Sequence, residues 1–474
     1  MSHQARLQAP ASDSSDLTSE HSDAPQEGER RGGLLRADLW PCSAMEGADH
    51  LQIGGCDVVE LARSHRTPLY LLDERTLRDA CRSYRGALLK YYPAHSVVHY
   101  AAKALLNTAL VQLVCSEGLG LDVASEGELY VAMRAGAPPS CIRFHGNAKT
   151  RAEIGRAVEA RVARIVVDNL DELEEVGLAV QRAATPVEIS LRIVPEVEAD
   201  THTHIRTGHR DCKFGFPLEA IEDALHLVSQ SPLLRIAGLH FHLGSQILAA
   251  GCYERAVDVA VELAARLRKG GVEIEEFSPG GGLGVNYTEA DQAGTIDSFV
   301  EKMSQLVTAA WGRHRLPLPR LVLEPGRSIC ARAGVALYTI VATKPLRDPS
   351  AARRYLHLDG GMADNIRPAL YGARFSAAVA NRLSETPDEI VHLSGCYCES
   401  SDVLVRDIAL PRAARPGDII AVPMAGAYTL SMASNYNGAL RPEVLLVANG
   451  KARTIQRRES LSDLVARDFP LTED

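Results

Sequence analysis

Short apolar runs alternate with helix-length amphipathic segments across residues 68–323. The apolar runs occupy residues 68–72, 97–101, 120–123, 141–144, 164–167, 189–194, 236–240 and 321–323. Amphipathic segments such as 126–135 and 151–160 lie between several of them. Strand and helix in regular alternation over about 250 residues is typical of a parallel (β/α)8 barrel, an α/β fold whose active site lies at the carboxyl ends of the strands. Polar or glycine-containing motifs follow many of the runs, so the sequence predicts functional residues at those ends.

The pattern changes after Ile329. Further apolar runs follow without helices of crossover length between them, at residues 335–341, 355–358, 404–406, 418–422 and 444–447. Strands without crossover helices indicate a mostly antiparallel β domain, either a sandwich or a barrel. We therefore assign residues 75–330 to the barrel and residues 331–474 to a C-terminal β domain.

The N-terminal residues 1–48 are rich in Ser, Asp, Glu, Gln and Arg and contain few apolar residues. A segment of that composition buries too little surface to offset the entropy lost on ordering, so it is predicted to be a disordered tail. Its frequent acidic residues argue against a transit peptide, and it has no hydrophobic segment of signal-peptide type.

Charge and cysteine content exclude several classes of protein. The net charge is −9 and neither sign forms a long block, which argues against a nucleic-acid-binding surface. The ten cysteines have no regular spacing, so a reduced cytoplasm is favoured over a disulfide-linked, secreted fold. Apolar runs of about 18 residues are absent, so the sequence predicts no membrane span.

A lysine, Lys103, ends the apolar run 97–102. Lysine is rarely buried without a partner, and the simplest interpretation is a side chain that extends from the strand end into solvent. The functional alternative is a desolvated amine that forms a Schiff base with a carbonyl cofactor.

A carboxylate, a turn and a guanidinium follow the run 321–323, at Glu324, Pro325, Gly326 and Arg327. A pyridine cofactor that carries a phosphate needs an acid to keep its ring nitrogen protonated and a cation for the phosphate or for a substrate carboxylate. The alternative is an ordinary turn with a surface ion pair.

Three consecutive glycines, Gly280, Gly281 and Gly282, permit a backbone nest that holds a phosphate, although many such loops are only flexible turns. Two histidine pairs, His202 with His204 and His240 with His242, have the spacing of a chelate. Neither pair has an obvious third ligand nearby in the sequence, and stacking or hydrogen bonding explains them equally well. We therefore predict no metal.

These motifs together resemble the pyridoxal-phosphate decarboxylases built on the alanine-racemase-type barrel, and most strongly the diaminopimelate decarboxylases. The residues that carry the resemblance are 100–104, 145–147, 238–246, 280–282, 324–327, 359–362, 364–371, 398–402 and 426–428. They occur in one order from about residue 54 to the C-terminus. The resemblance implies that residues 49–74 supply the first strands of the β domain.

The resemblance also implies the cofactor, pyridoxal 5'-phosphate, and the residues that bind it. Lys103 would hold it as a Schiff base, His242 would stack on its ring and Glu324 would protonate the ring nitrogen. The phosphate would contact Gly280, Gly281 and Gly282, with Ser245 and the Tyr428 hydroxyl as further donors. Gly326 would also bind the cofactor. Arg327 would serve either the phosphate or the distal carboxylate of the substrate. Asp122 is either a helix-capping acid or a cofactor ligand.

The remaining implied roles concern the substrate and a second subunit. Cys398 would reach across a homodimer interface and donate a proton to Cα, and Glu399 beside it would bind the distal amine. Arg367 and Tyr371 would hold the distal carboxylate. A free cysteine such as Cys398 is otherwise most often a small buried hydrophobe.

The activity implied by the resemblance is the decarboxylation of meso-2,6-diaminopimelate, a small molecule, to L-lysine and CO2 in the cytoplasm. One alternative is a decarboxylase of the same fold that acts on another amino acid. The other is a non-catalytic homologue, which would have no need to keep Lys103, Glu324 and Cys398 together.

Overall fold

The computed structural model describes residues 35–47, 49–197, 212–248, 251–347 and 352–471. His202 and His204, considered above as a metal-binding pair, lie outside the described residues. So does most of the segment predicted to be a disordered tail, residues 1–34 and 48.

The folded body begins earlier than the sequence predicts. Within residues 35–47, Leu39 and Trp40 are buried in the core. The Ser43 hydroxyl donates to a carboxylate oxygen of Asp73 at 2.7 Å. The prediction of disorder is therefore wrong for this stretch, because two adjacent large apolar side chains are buried in the core and Ser43 bonds to the body.

A small antiparallel sheet and two helices precede the barrel. The elements are β1 (Met45–Glu46), β2 (Leu51–Ile53), β3 (Cys56–Asp57), α1 (Val58–His65), β4 (Leu69–Asp73) and α2 (Glu74–Tyr91). Asp57 and Asp73 cap α1 and α2 by accepting hydrogen bonds from backbone N–H groups of the first turn.

In the part of the chain that the structure describes, eight parallel strands close into a barrel, which confirms the predicted (β/α)8 fold. The strands are β5 (Ser96–Ala101), β6 (Gly120–Val123), β7 (Ile142–Phe144), β8 (Arg164–Val167), β9 (Val187–Arg192), β10 (Leu234–His240), β11 (Glu276–Ser278) and β12 (Arg320–Leu323). The outer helices are α3 (Thr108–Ser116), α4 (Glu126–Arg134), α5 (Arg151–Ala160), α6 (Leu170–Ala183), α7 (Ile221–Ser229), α8 (Cys252–Lys269) and α9 (Ile296–Arg313).

Caps fix where several of these helices begin. Polar side chains accept hydrogen bonds from N–H groups in the first turn at Asn107, Ser125, Thr150, Asn169 and Thr295. The first four of these caps follow the end of the preceding strand within six residues, whereas Thr295 follows the long loop after β11. The side chains that end the strands therefore gather at one face of the barrel.

Among the residues described, the second domain forms a nine-stranded, mostly antiparallel mixed sheet, which confirms the predicted β domain. Its elements after the barrel are α10 (Arg327–Cys330), β13 (Gly334–Pro345), β14 (Arg354–Leu358), α11 (Arg367–Tyr371), β15 (Ala378–Val379), β16 (Glu389–Ser394), β17 (Val403–Leu410), β18 (Ile419–Val422), β19 (Glu443–Ala448), β20 (Lys451–Gln456) and α12 (Leu461–Leu464). Strand β4, from before the barrel, lies between β13 and β19. The β14–β16 and β4–β19 pairs are parallel.

A close backbone contact joins the β domain to the barrel. A Cβ atom on Gly426 would lie 1.8 Å from the carbonyl oxygen of Cys330, so only glycine fits there. The adjacent Tyr428 then donates its backbone N–H to the Ala104 carbonyl at 2.8 Å. This contact brings a loop of the β domain to the carboxyl end of β5. None of the helices described is long and apolar enough to cross a membrane.

Candidate active site

Lys103 lies in a short 3-10 turn, Ala102–Ala104, directly after β5. The turn is held on two sides, because Ala101 donates its N–H to the Pro325 carbonyl at 3.1 Å and Tyr428 bonds to Ala104. A Cβ on Gly326 would lie 3.0 Å from the Cβ of Ala104, so the turn packs closely on that glycine. The Lys103 side chain itself is exposed in the single chain rather than desolvated.

Glu324, by contrast, is buried at the carboxyl end of β12. It accepts hydrogen bonds from His240 Nε2 at 3.0 Å and from the Ser278 hydroxyl at 2.8 Å, and His145 Nε2 lies 3.6 Å from it. Burial acts to raise the pKa of Glu324, but the interactions with His240 and His145 outweigh it and hold this pKa well below its usual range. Glu324 is therefore ionised at neutral pH.

A second carboxyl group at the site, that of Asp122, is protonated at neutral pH, unlike Glu324. Asp122 is buried at the end of β6, with Oδ1 at 3.5 Å from His145 Nε2. Burial and then the nearby Glu324 raise the pKa of Asp122 to about 8, against the influence of Lys103. Two carboxyl groups whose pKa values are pushed apart are typical of an acid–base site. The helix-capping interpretation of Asp122 is wrong, since Ser125 caps α4.

The His242 ring lies against the glycine loop. A Cβ on Gly280, whose φ is +75°, would lie 2.7 Å from His242 Nδ1. Burial and then Lys103 hold the pKa of His242 well below its usual value, so the ring is neutral. His240 has a different role, because its Nε2 bonds to Glu324 and its ring meets that of His145 edge-on at 4.9 Å. Potential ligand atoms of His145, His240 and Glu324 lie within 4.8 Å of one another. His240 thus groups with His145 and Glu324, whereas His242 lies against the glycine loop.

Backbone N–H groups of the glycine loop are free to bind an anion. A Cβ on Gly281 would lie 2.1 Å from the Glu324 carbonyl oxygen, and one on Gly282, with φ of +110°, would lie 2.5 Å from the Tyr253 hydroxyl. Within the described ranges, neither the Gly281 nor the Gly282 N–H donates to a protein acceptor. The loop is therefore a rigid turn that packs on Glu324 and not a flexible connection.

Arg327 is fixed beside this loop. Its Nη2 donates to the Ser245 hydroxyl at 2.9 Å and its Nη1 to the Tyr287 hydroxyl at 2.5 Å. Its guanidinium carbon lies 4.7 Å from the centre of the Tyr428 ring. Three residues predicted to bind the cofactor, Ser245, Arg327 and Tyr428, are thus brought together.

A second guanidinium shares the same aromatic rings. The Arg367 guanidinium carbon lies 5.7 Å from the ring centres of both Tyr287 and Tyr428 and 5.4 Å from that of Tyr371. Burial, and to a lesser degree Arg327, lower the pKa of Arg367. Its Nε is buried and has no hydrogen-bond partner among the residues described. Two arginines packed on the same rings suit two separate anionic groups.

The structure does not bring Cys398 and Glu399 to this site. Both are exposed, on the loop between β16 and β17. The Cys398 N–H donates to Asn437 Oδ1 at 3.0 Å, and the Glu399 carboxylate accepts from the Ser401 N–H at 3.3 Å. No hydrogen bond or ion pair between described residues connects them to the barrel.

The sequence analysis missed two kinds of residue at the site. Arg192, buried at the end of β9, lies 3.6 Å from Asp168 and over the Phe214 ring at 4.2 Å. A charge at the end of an apolar run, the signal used for Lys103, marks Arg192 as well. Tyr287, which contacts both Arg327 and Arg367, has no such signal, because it lies in a loop without a recognisable pattern.

These groups fit the cofactor implied by the sequence. Pyridoxal phosphate needs an acid for its ring nitrogen, donors for its phosphate and an amine for its carbonyl group. The ionised Glu324 supplies the carboxylate that would keep that nitrogen protonated, while the free N–H groups of the glycine loop and the hydroxyl and guanidinium groups beside it supply donors. Lys103 supplies the amine at the mouth of the barrel.

Comparisons with known proteins identify relatives of this chain. Residues 75–331 match the family described as pyridoxal-dependent decarboxylase, pyridoxal binding domain. The chain is 41% identical over 424 residues to a diaminopimelate decarboxylase of Bacillus subtilis, covering 89% of this chain and 95% of that protein. A crystal structure of diaminopimelate decarboxylase from M. jannaschii with L-lysine superposes with a TM-score of 0.84 at 31% identity, covering 90% of this chain and 98% of that one. A lysine/ornithine decarboxylase from Vibrio vulnificus with putrescine has a TM-score of 0.68 at 25% identity, covering 83% and 98%.

Proposed function

This chain belongs to the pyridoxal-dependent decarboxylases, and from that premise we propose that it converts meso-2,6-diaminopimelate to L-lysine and CO2. The ionised Glu324, together with two arginines packed on the same aromatic rings, carries the proposal. Its relatives at about 40% identity over most of their length are diaminopimelate decarboxylases.

Pyridoxal phosphate, when bound, supplies an electron sink for the electron pair left behind by the departing carboxylate. Lys103 holds the cofactor at its carbonyl group, and the free N–H groups of Gly281 and Gly282 hold the phosphate together with Ser245 and Tyr428. The neutral His242 ring packs on the cofactor ring. Glu324 holds a proton at the ring nitrogen, since His240 and Ser278 keep its carboxylate oriented and ionised.

The far end of the substrate requires two more contacts. Arg367 and Tyr371 supply a cation and a hydroxyl for its distal carboxylate. Arg327 lies between the two anionic positions, because it bonds to Ser245 and shares the Tyr428 ring with Arg367. It thus adjoins both the phosphate and the distal carboxylate.

The active site is completed in a homodimer. Glu399 of the partner subunit binds the distal amine of the substrate, and Cys398 of the partner subunit donates the proton to Cα after CO2 leaves. The exposure of both residues in the single chain, with no contact to the barrel among described residues, supports this arrangement. A cysteine kept in solvent on a hydrogen-bonded loop is unusual for a residue with only a packing role.

The reaction takes place in the cytoplasm. All ten cysteines lie within the described residues, and none of them is joined in a disulfide, which suits a reducing compartment.

Side-by-side assays of CO2 release test which amino acid is the substrate. The panel contains meso-diaminopimelate, its L,L isomer, lysine, ornithine and arginine, each with added pyridoxal phosphate. An unpaired buried charge costs several kcal/mol, so meso-diaminopimelate should exceed lysine and ornithine by at least about a thousandfold in kcat/KM. The structural likeness to the lysine/ornithine decarboxylase makes the second candidate a decarboxylase of those amino acids. Comparable turnover of lysine or ornithine would favour that candidate.

A further inference from the structure

A segment that precedes both the barrel and the β domain contacts a loop of the active site. This N-terminal segment, residues 35–41, is fixed to the body by the buried side chains of Leu39 and Trp40. It forms a turn in which the Trp40 N–H donates to the Arg36 carbonyl at 3.1 Å. The turn leaves the Arg36 and Asp38 side chains partly exposed and available for contacts with the barrel.

These two side chains hold the loop of residues 286–293, which follows the glycine motif. Asn286 Nδ2 donates to Asp38 Oδ2 at 2.7 Å, and Arg36 Nη1 donates to the Glu289 carbonyl at 2.8 Å. Arg36 Nε also donates to Asp38 Oδ1 at 2.9 Å, so each of the two side chains orients the other. The N-terminal segment therefore clamps the loop at two points three residues apart.

Hydrogen bonds within the loop close it on itself. The Asp291 carboxylate accepts from the backbone N–H groups of Tyr287 and Thr288 at 2.9 and 2.8 Å. Asn286 Oδ1 accepts from the Ala293 N–H at 2.7 Å. These bonds set the shape of the loop, but they do not fix its position on the barrel.

The same loop joins the N-terminal segment to the active site. Among the residues described, the hydrogen bonds that leave the loop go to Arg36, Asp38 and Arg327. The bond to Arg327 comes from Tyr287, a buried residue whose hydroxyl accepts from Arg327 Nη1 at 2.5 Å. The centre of the Tyr287 ring also lies 5.7 Å from the guanidinium carbon of Arg367.

The remaining contacts hold the base of the loop and the Tyr287 ring. Gln246 Nε2 donates to the Val285 carbonyl at 2.6 Å, and the Val285 N–H donates to Gln246 Oε1 at 3.2 Å. The Tyr287 ring meets that of Phe375 edge-on at 5.2 Å. Such a ring contact keeps the side chain buried but does not direct its hydroxyl. The position of the hydroxyl therefore depends on how the backbone of the loop is held.

We propose that Arg36 and Asp38 are positioning residues for Tyr287. By holding the loop on either side of Tyr287, they keep its hydroxyl bonded to Arg327, the arginine that adjoins both the phosphate and the distal carboxylate in the proposed function. The inference deepens that function and rests on it, because the orientation of Arg327 matters to turnover only where it faces an anionic substrate.

The test cuts the clamp with Asp38→Ala and compares the holoenzyme with the parent. A displaced binding group weakens substrate binding more than the chemical step, so KM for meso-diaminopimelate should rise about fivefold while kcat stays within about twofold. Hydrogen exchange followed by mass spectrometry provides a measurement that does not depend on turnover. Exchange should be at least about tenfold faster in residues 286–293 and unchanged in the barrel strands.

Asp49→Ala is the matched control. Asp49 is another partly exposed aspartate near the N-terminus, but it accepts from the Ser384 hydroxyl at 2.6 Å and not from the loop. This variant should keep the parent's KM and exchange rates. If it raises KM as far as Asp38→Ala does, general loosening of the N-terminal region is the cause and the proposal is overturned.

A double-mutant cycle tests whether Asp38 acts through Tyr287. Tyr287→Phe removes the hydroxyl that bonds to Arg327 and keeps the ring. Adding Asp38→Ala to Tyr287→Phe should then raise KM by less than about twofold further, because the bond that Asp38 protects is already lost. Effects of the two substitutions that simply multiply would show that they act independently and would overturn the proposal.

The remaining outcomes are also decisive. A parent that does not turn over meso-diaminopimelate refutes the proposed function, while hydrogen exchange still tests the clamp. Unchanged exchange in Asp38→Ala shows that Asp38 does not hold the loop and overturns the inference, as does faster exchange with an unchanged KM. If Asp38→Ala does not fold, Asn286→Ala cuts the same hydrogen bond from the loop side and is judged by the same criteria.

Discussion

At the barrel mouth, Glu324 is buried and receives hydrogen bonds from two other strands, whereas Glu399, after β16, is exposed and bonds to neighbours in its own loop. The first carboxylate has its protonation state set by the fold of one chain. The second has no such environment among the residues described. One chain therefore provides the cofactor end of the site, and the proposed second copy provides the end that recognises the substrate's distal amine.

The two regions also differ in how the backbone around Lys103 and around Cys398 is held. Lys103 projects into solvent, but the turn that carries it is fixed by Pro325, Gly326 and Tyr428. Cys398 projects from the loop between β16 and β17. Its backbone N–H donates to Asn437 Oδ1, which also lies in the β domain. Preorganisation at the barrel mouth is thus intrinsic to the chain, while at the loop it would come from the proposed second copy.

The largest expected effect comes from Lys103→Ala. Loss of the amine should lower kcat by at least about a thousandfold and remove the covalent link to the cofactor. The melting temperature should change little, because the side chain is exposed. Borohydride reduction followed by peptide mapping locates the link in the parent. A reducible adduct on the same peptide in the variant would mean that the cofactor amine is elsewhere.

Arg367→Ala should have the next largest effect on activity. Removing the cation for the distal carboxylate should lower kcat/KM for meso-diaminopimelate by about a hundredfold or more, because that carboxylate would be left unpaired in a partly buried site. Cofactor affinity should stay within about twofold. The exposed neighbour Arg374 offers a control, and Arg374→Ala should behave like the parent. A large loss of cofactor affinity in Arg367→Ala would assign this arginine to the phosphate instead.

Subunit mixing tests the contrast between the two regions directly. Lys103→Ala and Cys398→Ala chains are each inactive, but a heterodimer of the two contains one site with both residues intact. Random pairing should restore about a quarter of the parent's activity, since half of the dimers are mixed and each has one working site of two. Mass spectrometry of differently tagged chains confirms exchange. Exchange without recovery would mean that each chain builds its whole site alone.

The smallest expected effect concerns Asp122, through the pH dependence of stability. The folded-state pKa of about 8 exceeds the value in the unfolded chain, so the native state binds the extra proton between those values. The free energy of unfolding of the parent should therefore fall, relative to Asp122→Asn, as pH rises from 5 to about 8. Above that pH the two curves should run parallel. Denaturant titrations across this range measure the difference, and parallel curves throughout would show that Asp122 is ionised at neutral pH.

Most of the fold follows from local patterns in the sequence. Alternating apolar runs and amphipathic segments predict the barrel, because each strand and helix requires only the periodicity of its own residues. The glycine loop and Glu324 to Arg327 are found for the same reason, since a charged or glycine-rich motif at the end of an apolar run marks the carboxyl end of a strand. Their roles came from the resemblance to a known family and stay predictions.

The sequence by itself determined the order of strands and helices and the set of chemical groups at the strand ends. Only the tertiary structure decided which groups meet: His145 and His240 on Glu324, Tyr287 between two arginines, and Arg143 on Glu276, 133 residues away along the chain. It also decided that Leu39 and Trp40 are buried. Such contacts depend on how distant segments pack. Burial raises the pKa of Asp122, whereas the contacts with His240 and His145 outweigh burial and lower the pKa of Glu324.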